Sequence, residues 1–429
     1  MADFRNDTES ISKDKSRKAI FSEPKKSSRQ SSRLPGFYSL SSNERAELTA
    51  KHSNLDKNEQ GSISNQGALH PQLTDVFIEN AIGTFSLPLG IATNFIVNGK
   101  EFLIPMAVEE SSVVAAASHG AKYARKGGGF TTWSSDPVMT GQLQVFLDDV
   151  NDELKSDIPN ILFRKKNELI SFANRGLERL LKRGGGVKDI EWKFIEEINS
   201  LIIHIHIDTR DAMGANIVNT ICEKLASKVP QLIPGVKIGL RILTNLCDQR
   251  TASSSCAIPA SAFDRPGIRG IDVIKAIEKA YLFAYHDIYR ATTNNKGVMN
   301  GIDPVVIATG NDWRAIEAGA HASCVKDGTY RPLASWKVDS DNTLHGHIEI
   351  PLSVGTVGGV TKLHPTAKTA LKIMGNPNAR ELAEIIVTVG LAQNLSALRA
   401  LASEGIQKGH MSLHQKNLEL LAEISNGKS

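Results

Sequence analysis

The sequence predicts a mixed α+β protein of two or three domains. Its 429 residues suffice for several domains, and a composition of 41% apolar and 22% charged residues is typical of a globular protein with a large core. Segments with strand and helix character alternate along the chain, and their pattern changes near residue 137. We therefore expect a domain boundary at that position.

Charge and cysteine content argue against several classes of protein. Residues 1–33 carry nine Lys and Arg against five Asp and Glu, whereas the remaining 41 basic and 41 acidic residues balance. The neutral body argues against nucleic-acid binding, and the polar segment 1–33 is expected to be disordered, with a functional basic arm as the alternative. Four scattered cysteines predict neither a disulfide framework nor a zinc site, and they fit a reducing cytoplasm. No apolar run approaches the ~20 residues of a membrane span.

The first domain is predicted to contain a capped helix, a hairpin and an alanine-rich helix. The segment SSNE at 41–44 has capping-box spacing, and Asn-Gly at 98–99 between apolar runs predicts a hairpin. Residues 111–125 are expected to be helical. Glu109 and Glu110 precede this helix, where one carboxyl has a perturbed pKa or both simply favour the helix N-terminus.

The middle of the chain is predicted to contain a helix and two strands. Residues 157–183 are expected to be helical, and residues 190–195 and 201–207 are expected to be strands. His204 and His206 alternate with isoleucine on the second strand and point to one face. Without a third ligand in the sequence pattern, two sheet-surface histidines are favoured over a metal site.

Residues 211–214 lie where this strand gives way to a long helix. Free backbone N–H groups at a helix N-terminus can bind a pyrophosphate, and Gly214 permits a close approach of the ligand. The sequence contains neither GxGxxG nor GxxxxGK[ST], so neither a Rossmann nor a P-loop fingerprint supports this site.

The stretch from Arg290 to Arg314 is the main candidate for chemistry. Lys296 is expected in a turn rich in Gly and Asn, residues 305–308 in a buried strand, and Asp312 in a second turn. Such an arrangement brings an ammonium near a carboxylate, ready to neutralise an oxyanion and donate a proton. The alternative is a surface lysine and a helix-capping aspartate.

Three helices and one strand are predicted in the last third of the chain. The helices are expected at 272–289, 315–322 and 379–403, and the strand at 345–351. The glycine-rich segment VGTVGG after the strand either cradles a phosphate or forms a tight turn between packed elements.

Six long segments follow one another in the order found in one known family. They are ENAIGTFSLPLG at 79–90, VEESSVVAAAS at 108–118, DAMGANIVNT at 211–220, NKGVMNGID at 295–303, ATGNDWRAIEAGAHA at 308–322 and LAQNLSALRALASEGIQKGHMSLH at 391–414. Together they resemble the hydroxymethylglutaryl-CoA (HMG-CoA) reductases of the soluble bacterial type, from about residue 33 onward.

The resemblance implies a large mixed α/β substrate domain, an inserted small ferredoxin-like domain for the dinucleotide, and a short C-terminal helical flap. The implied parts are a disordered arm at 1–33, the large domain at 34–137 and 245–404, the small domain at 138–244, and the flap at 405–429. It also implies a cytoplasmic homodimer, or a higher homo-oligomer, with the site at the subunit interface.

The activity implied is the four-electron reduction of HMG-CoA to mevalonate and CoA with two molecules of NADH or NADPH, or the reverse, without a metal. In the family pattern Glu110 is the catalytic glutamate and Lys296 stabilises the oxyanion. Asp312 couples to both, and His410 protonates the departing CoA thiolate. A leaving thiolate needs an acid that titrates near neutrality, which suits histidine.

Further residues are assigned to binding by the same resemblance. Those for the acyl part of the substrate are Ser112, Arg290, Asn300 and Asn394, and those for the dinucleotide are Asp211, Met213, Gly214, Asn216 and Asn245. Leu177 stands where NADH-using relatives carry an aspartate for the ribose hydroxyl. NADPH is therefore expected to be used at least comparably to NADH.

Two other functions are alternatives. Only 19 residues follow His410, where relatives continue through further flap helices, so the chain could bind CoA esters and dinucleotide with impaired turnover. A third possibility is nucleic-acid or partner binding through the basic arm, which the neutral body and the intact site motifs oppose.

Overall fold

The structure is a computed structural model that describes residues 30–64 and 69–403. The predicted flap, with His410, lies outside the described residues, as does the predicted arm up to residue 29. In the described part, helices α1 to α14 are Ser42–His52, Lys57–Ser64, Pro71–Phe77, Val113–Ala124, Asp152–Asn174, Glu178–Leu181, Ala215–Ala226, Val229–Leu232, Gly270–His286, Ile288–Ala308, Trp313–Ser323, Gly359–Leu363, Pro365–Ile373 and Ala379–Ser403. Strands β1 to β12 are Leu89–Val97, Lys100–Ala107, Thr131–Ser134, Val138–Phe146, Gly186–Ile195, Ser200–Asp208, Lys237–Leu243, Thr251–Pro259, Val325–Lys326, Thr329–Tyr330, Ala334–Val338 and Thr343–Pro351.

The elements from β4 to β7 form a ferredoxin-like unit. Two β-α-β segments, β4-α5-β5 and β6-α7-β7, build a sheet of order β5-β6-β4-β7 in which all neighbours are antiparallel. Ile203, Ile205 and Ile207 of β6 share one buried core with Leu162 of α5 and Ile221 of α7. Burying each such side chain stabilises the unit by about 1.5–3 kcal/mol. The predicted ferredoxin-like insertion is confirmed.

Helix α14 is the centre of the larger unit. The sheet β11-β12-β8-β3 packs on it, and so do α4, α9 and α10. Leu382, Ile386 and Val389 of α14 are fully buried in this core. The bounds of α14 are those predicted from sequence. Its window Ala379–Ala402 is long and apolar enough to cross a membrane, but 72% of it is buried inside the protein.

Two glycines bring neighbouring helices into backbone contact with α14. A Cβ added to Gly120 of α4 would lie 2.0 Å from the carbonyl oxygen of Ala392. One added to Gly301 of α10 would lie 2.7 Å from the carbonyl oxygen of Val389. Only glycine permits these approaches, so α14 fixes the relative placement of α4 and α10.

The turn–strand–turn predicted around Lys296 is wrong. Residues 305–308 form the last turn of α10, and Lys296 lies in the middle of the same helix. A short apolar run has the same pattern in a buried strand and in a buried helix. The Gly and Asn residues that suggested a turn lie inside the helix, where Gly301 allows close packing.

The ordered body begins before the predicted boundary at residue 34. Ser32 is fully buried, and its N–H donates to Glu101 Oε2 at 2.9 Å while its hydroxyl donates to the carbonyl of Phe95 at 3.0 Å. Arg125 donates to both oxygens of Glu101, at 2.8 and 2.5 Å. The last residues of the predicted arm therefore belong to the packed body.

Candidate active site

The central contact of the candidate site joins α10 to the start of α4. Lys296 Nζ lies 3.1 Å from Glu110 Oε2, which belongs to the turn between β2 and α4. The two side chains are 62% and 40% exposed. The structure thus brings together two of the four predicted catalytic residues, although sequence reasoning from the turns had paired Lys296 with Asp312.

Asp312 instead begins the next helix. Its carboxylate accepts from the backbone N–H groups of Arg314 and Ala315 at 3.1 and 3.2 Å, and it pairs with the Arg314 guanidinium at 3.3 Å. The helix-capping alternative is therefore the arrangement observed. A carboxylate in this position is stabilised by the helix N-terminus.

Ser112 precedes α4 in a strained conformation. Its φ of 73° lies in the left-handed region, which costs a non-glycine residue energy, and its hydroxyl caps no N–H of α4. The side chain is half-buried. Strain of this kind persists where the surrounding structure holds it, and here it leaves a hydroxyl uncommitted two residues after Glu110.

Asn300 and Arg290 are carried by α10 at different angles. Asn300 lies one turn after Lys296 and shares its face, whereas the step of six residues from Arg290 to Lys296 turns the helix so that the two side chains lie about 120° apart. Burial lowers the pKa of the Arg290 guanidinium from its usual value. We call Glu110, Ser112, Lys296 and Asn300 the acyl end of the site.

Asn394 lies in the core rather than at the acyl end. It is 1% exposed, its carbonyl oxygen accepts from Trp336 Nε1 at 2.7 Å, and its amide donates to Asn294 at 2.9 Å. Any influence of Asn394 on a ligand is therefore transmitted through the position of α10, which carries Asn294.

The predicted dinucleotide turn, residues 211–214, follows β6 and precedes α7. Gly214 has a φ of 97°, and an added Cβ would lie 2.4 Å from Thr209 Cγ2. The carboxylate of Asp211 accepts from the N–H of Ala379, the first residue of α14, at 3.1 Å. The turn is thus attached to the central helix of the larger unit.

Arg250 supports this turn from inside the protein, and sequence reasoning missed it. The residue is 4% exposed, and burial lowers the pKa of its guanidinium to about 10. It donates to Thr209 Oγ1 at 3.0 Å and to the carbonyls of Ala212, Met213 and Val354 at 3.1, 3.2 and 2.5 Å. Met213 therefore contributes its backbone to a fixed turn.

The remaining predicted dinucleotide residues are exposed. Asn216 lies in the first turn of α7, and Asn245 lies just beyond β7, where its carbonyl oxygen approaches Gly319 of α11. Asn245 is therefore near the junction between the two units, beside the helix that Asp312 begins.

A pocket of about 310 Å³ lies beside the dinucleotide turn. It is walled by residues 176–180 and Arg183, which lie after α5 and in and around α6, and by residues 209–212. Three arginines line it, Arg179, Arg183 and Arg210, and we call it the arginine pocket. The basic composition of RLLKRGGG at 179–186 was the available sequence signal.

A larger groove of about 690 Å³ runs between the N-terminal segment, β1 and α4. Arg33, Arg45 and Lys122 line it together with many apolar side chains, and no carboxylate is among its described lining residues. Burial lowers the pKa of His119, which also lines it, to about 4. Val114 brings one end of this N-terminal groove within a helical turn of Ser112.

His204 and His206 bond to neighbouring strand residues. His204 lies 2.9 Å from Gln142 Nε2, and His206 Nδ1 lies 3.0 Å from Thr140 Oγ1. In the described ranges, no group of three His, Cys, Asp or Glu residues is placed to hold a metal ion.

A ferredoxin-like unit joined to a unit that carries a paired lysine and glutamate is the architecture of an NAD(P)-dependent oxidoreductase whose solved structure contains NADPH, and this chain is of that class. The chain belongs to the hydroxymethylglutaryl-coenzyme A reductase family, whose model matches residues 41–415. The 3-hydroxy-3-methylglutaryl-coenzyme A reductase of Archaeoglobus fulgidus is 49% identical over 394 residues, 91% of this chain and 88% of that protein.

Solved structures agree with this membership. The Streptococcus pneumoniae enzyme is 40% identical, with a TM-score of 0.81, covering 86% of this chain and 99% of that one. A structure of the class II enzyme from the same organism, bound to NADPH in open conformations, has the same TM-score and identity. These comparisons give no support to the alternative of a homologue with impaired turnover.

Proposed function

We propose that this chain catalyses the reduction of HMG-CoA to mevalonate and CoA with two NAD(P)H, or the reverse reaction. The observation that carries the proposal is the 3.1 Å contact between Lys296 Nζ and Glu110 at the start of α4. An ammonium group suits a reaction that twice builds negative charge on a carbonyl oxygen.

In this mechanism Lys296 serves both reductions. Two molecules of NAD(P)H, bound one after the other, would each supply one hydride, the first to the thioester carbonyl carbon and the second to the aldehyde that follows. Lys296 stabilises the oxyanion each time, and Glu110, in contact with it, takes part in proton delivery. When the C–S bond breaks, His410 gives a proton to the CoA thiolate. Asp312, at the start of α11, is assigned the role of coupling to both Lys296 and Glu110.

The acyl part of the substrate is assigned to Ser112, Arg290 and Asn300, with Asn394 supporting α10. The N-terminal groove begins next to Ser112 and suits the rest of the CoA. Its apolar walls match the pantetheine chain, and its three cations, with no carboxylate among the described lining residues, match the phosphates of CoA. The dinucleotide is assigned to residues 211–216 and Asn245.

A homodimer is proposed because several large apolar side chains face solvent. Ile82 and Phe85 are 106% and 92% exposed, and Tyr289, next to Arg290, is 83% exposed. Apolar patches of this kind mark interaction surfaces, and most soluble oligomers pair identical surfaces. Sedimentation of the wild-type chain and of Phe85→Asp tests this. The wild type should be a dimer and the variant should dissociate, whereas a monomeric wild type would contradict the proposal.

The proposed domain limits are 34–137 with 245–404 for the large domain, to which the packed residues 30–33 are added, and 138–244 for the small one. A cytoplasmic location is proposed because all four cysteines are free and buried, as expected where disulfides do not form.

The test of the activity is oxidation of NADH and NADPH by the purified chain, with and without HMG-CoA, followed by absorbance. Oxidation that depends on HMG-CoA and yields mevalonate supports the proposal. A folded protein that binds HMG-CoA but oxidises neither nucleotide would favour a binding protein instead.

A further inference from the structure

A single residue separates helix α9 from helix α10. Helix α9 ends at His286, α10 begins at Ile288, and Asp287 between them is extended, with φ of −132° and ψ of 121°. The Asp287 carboxylate accepts from the N–H of Arg290 at 2.7 Å, so Arg290 lies in the first turn of α10. The direction of the Arg290 side chain therefore depends on the angle between the two helices.

Arg331 binds the end of α9. Its Nη1 donates to the carbonyl oxygen of Tyr285 at 2.5 Å, and its Cζ lies 4.4 Å from the centre of the Tyr285 ring. The last four carbonyls of a helix lack partners within the helix, and a cation is favourable at this end. A guanidinium within ~6 Å of an aromatic ring is also attracted to its face. Arg331 thus holds the last turn of α9 through both the backbone and a side chain.

The segment that carries Arg331 is fixed to α10 by Asn295. We call residues 324–333 the brace. Asn295, which directly precedes Lys296, is completely buried and donates to the carbonyl oxygen of Arg331 at 2.9 Å, while its own carbonyl oxygen accepts from the N–H of Leu333 at 2.8 Å. Displacing a buried amide that is bonded at both ends leaves polar groups without partners, which is costly. The brace is therefore firmly attached to α10 beside Lys296.

The brace is also attached to helix α11. Strands β9 and β10 pair within it, and the N–H of Arg331 donates to the carbonyl of Cys324 at 2.8 Å. The hydroxyl of Tyr330 lies 2.7 Å from Nδ1 of His321, which belongs to α11. The backbone at Arg331 is thus held by α10, by α11 and by the hairpin, and its side chain reaches from this fixed point to α9.

Arg290 lies midway between the two places where the brace is attached. Tyr285 precedes it by five residues and Asn295 follows it by five. In the described ranges no carboxylate acts on the Arg290 guanidinium, whose pKa is lowered by burial alone. The guanidinium is therefore available to a carboxylate of a ligand. Because a guanidinium binds a carboxylate best through two parallel hydrogen bonds, its orientation matters as much as its charge.

We propose that Arg331 is a positioning residue that holds Arg290 in the orientation needed to bind the carboxylate of the HMG group. The proposal rests on the proposed function and adds a residue that acts through Arg290. Without the guanidinium of Arg331, the junction of α9 and α10 loses its link to the brace, and Arg290 loses its fixed direction. Lys296 keeps its place, because Asn295 still binds the brace. Substrate binding should therefore suffer more than turnover.

The experiment measures KM and kcat for HMG-CoA in the full chain and in Arg331→Met, which keeps an apolar stem but lacks the donors and the charge. KM should rise about tenfold or more while kcat stays within about threefold of wild type, because an interaction made equally in ground state and transition state is weakened. KM for NADPH should not change. Arg331→Lys, which keeps a cation and a donor, should recover most of the loss.

Two further variants separate positioning from a general loss of structure. Lys326→Met removes an equal charge from an exposed residue of the same brace and should behave as the wild type. In a chain that already carries Arg290→Met, adding Arg331→Met should raise KM no further, since the residue through which it acts is gone. Should Arg331→Met fail to fold, Tyr285→Leu, which removes the ring but not the carbonyl, should give a smaller rise in KM of the same kind.

Four results would overturn the proposal and leave the reductase activity standing. They are an unchanged KM in Arg331→Met and in Tyr285→Leu, a kcat that falls as far as kcat/KM, no recovery in Arg331→Lys, and additive effects in the double variant. Sedimentation must also give Arg331→Met the oligomeric state of the wild type, because a change there would assign the loss to assembly and overturn the proposal too. If the wild type neither reduces nor binds HMG-CoA, the proposed function itself fails, and the role of Arg331 falls with it.

Discussion

The acyl end and the dinucleotide turn obtain their geometry in opposite ways. The turn is held from inside by Arg250, which is 4% exposed and donates to four protein oxygens. At the acyl end the pair of Lys296 and Glu110 is 62% and 40% exposed. An exposed ion pair is worth ~0–1 kcal/mol, and charges act strongly on a reaction only where water is excluded. The acyl end therefore depends on further cover, which a second subunit can provide.

The largest effect is expected from removing the charge at the acyl end. Lys296→Ala should lower kcat by about a hundredfold to a thousandfold, roughly 2.7–4 kcal/mol, for HMG-CoA and mevaldehyde alike. His410→Gln should slow only the thioester reaction, because mevaldehyde releases no thiolate. The thermal midpoint should stay nearly unchanged, as in the control Lys279→Ala. A folded Lys296→Ala protein within about tenfold of wild type, ~1.4 kcal/mol, would remove Lys296 from the chemistry.

At the dinucleotide turn, a substitution is expected to affect stability more than turnover. Arg250→Met leaves buried oxygens without donors and should lower the free energy of unfolding by about 2–4 kcal/mol, with a raised KM for the dinucleotide. Chemical denaturation measures this. Arg241→Met, on an exposed residue of β7, is the control and should change stability by less than ~0.5 kcal/mol. If Arg250→Met lowers the free energy of unfolding by less than ~1 kcal/mol, the turn does not depend on Arg250 for its stability.

Glycine substitutions sharpen the same contrast. Gly214→Ala places a Cβ in contact with Thr209 at a left-handed position and should cost roughly 1–3 kcal/mol. Gly297→Ala, in α10 next to Lys296, meets no atom within 4 Å and should stabilise the helix by roughly 0.5–1 kcal/mol. Thermal denaturation of both variants is the measurement. Equal effects of the same sign would show that the two ends are equally constrained.

The last prediction concerns the pH dependence of stability. Burial and the neighbouring Glu317 raise the pKa of Asp303, seven residues after Lys296 on α10, to about 9. Because the folded state keeps the proton while the unfolded chain loses it near pH 4, the free energy of unfolding should fall as pH rises from about 4 to about 9. Asp303→Asn should flatten this dependence by at least about 1.4 kcal/mol, one pKa unit. Denaturation at pH 5 and 8.5 tests it against exposed Asp341→Asn, and an equal slope in both variants would contradict it.

The sequence correctly predicted the elements whose structure depends on residues close together in the chain. The capping box of Ser41 and Glu44 is present, and β1 and β2 meet at the predicted Asn-Gly turn. Lys296 was predicted to be functional, which stays a prediction, but it was given the wrong element, because helix α10 derives its stability from packing on α14 rather than from its own composition. Contacts between residues that are far apart in the sequence cannot be predicted from a local pattern. Arg250 is an example, because its hydrogen-bond partners Thr209, Ala212, Met213 and Val354 lie far from it along the chain.

The small unit illustrates the same division. Alternating isoleucines predicted β6, and the resemblance supplied the ferredoxin-like topology. The walls of the arginine pocket come from segments about 30 residues apart, so no spacing rule could place Arg183 beside Arg210. Asp312 was predicted either as a partner of Lys296 or as a helix cap, and the structure shows it as the cap of α11.

The position of α14 in the chain also has a consequence for biosynthesis. Its packing partners α4, α9, α10 and the sheet all leave the ribosome before it does. The ferredoxin-like unit has its own core and can fold while the rest is being made. The larger unit, in contrast, cannot complete its core until residue 403 has emerged. Until then the apolar surface that α14 will cover is exposed, and chaperones can bind it.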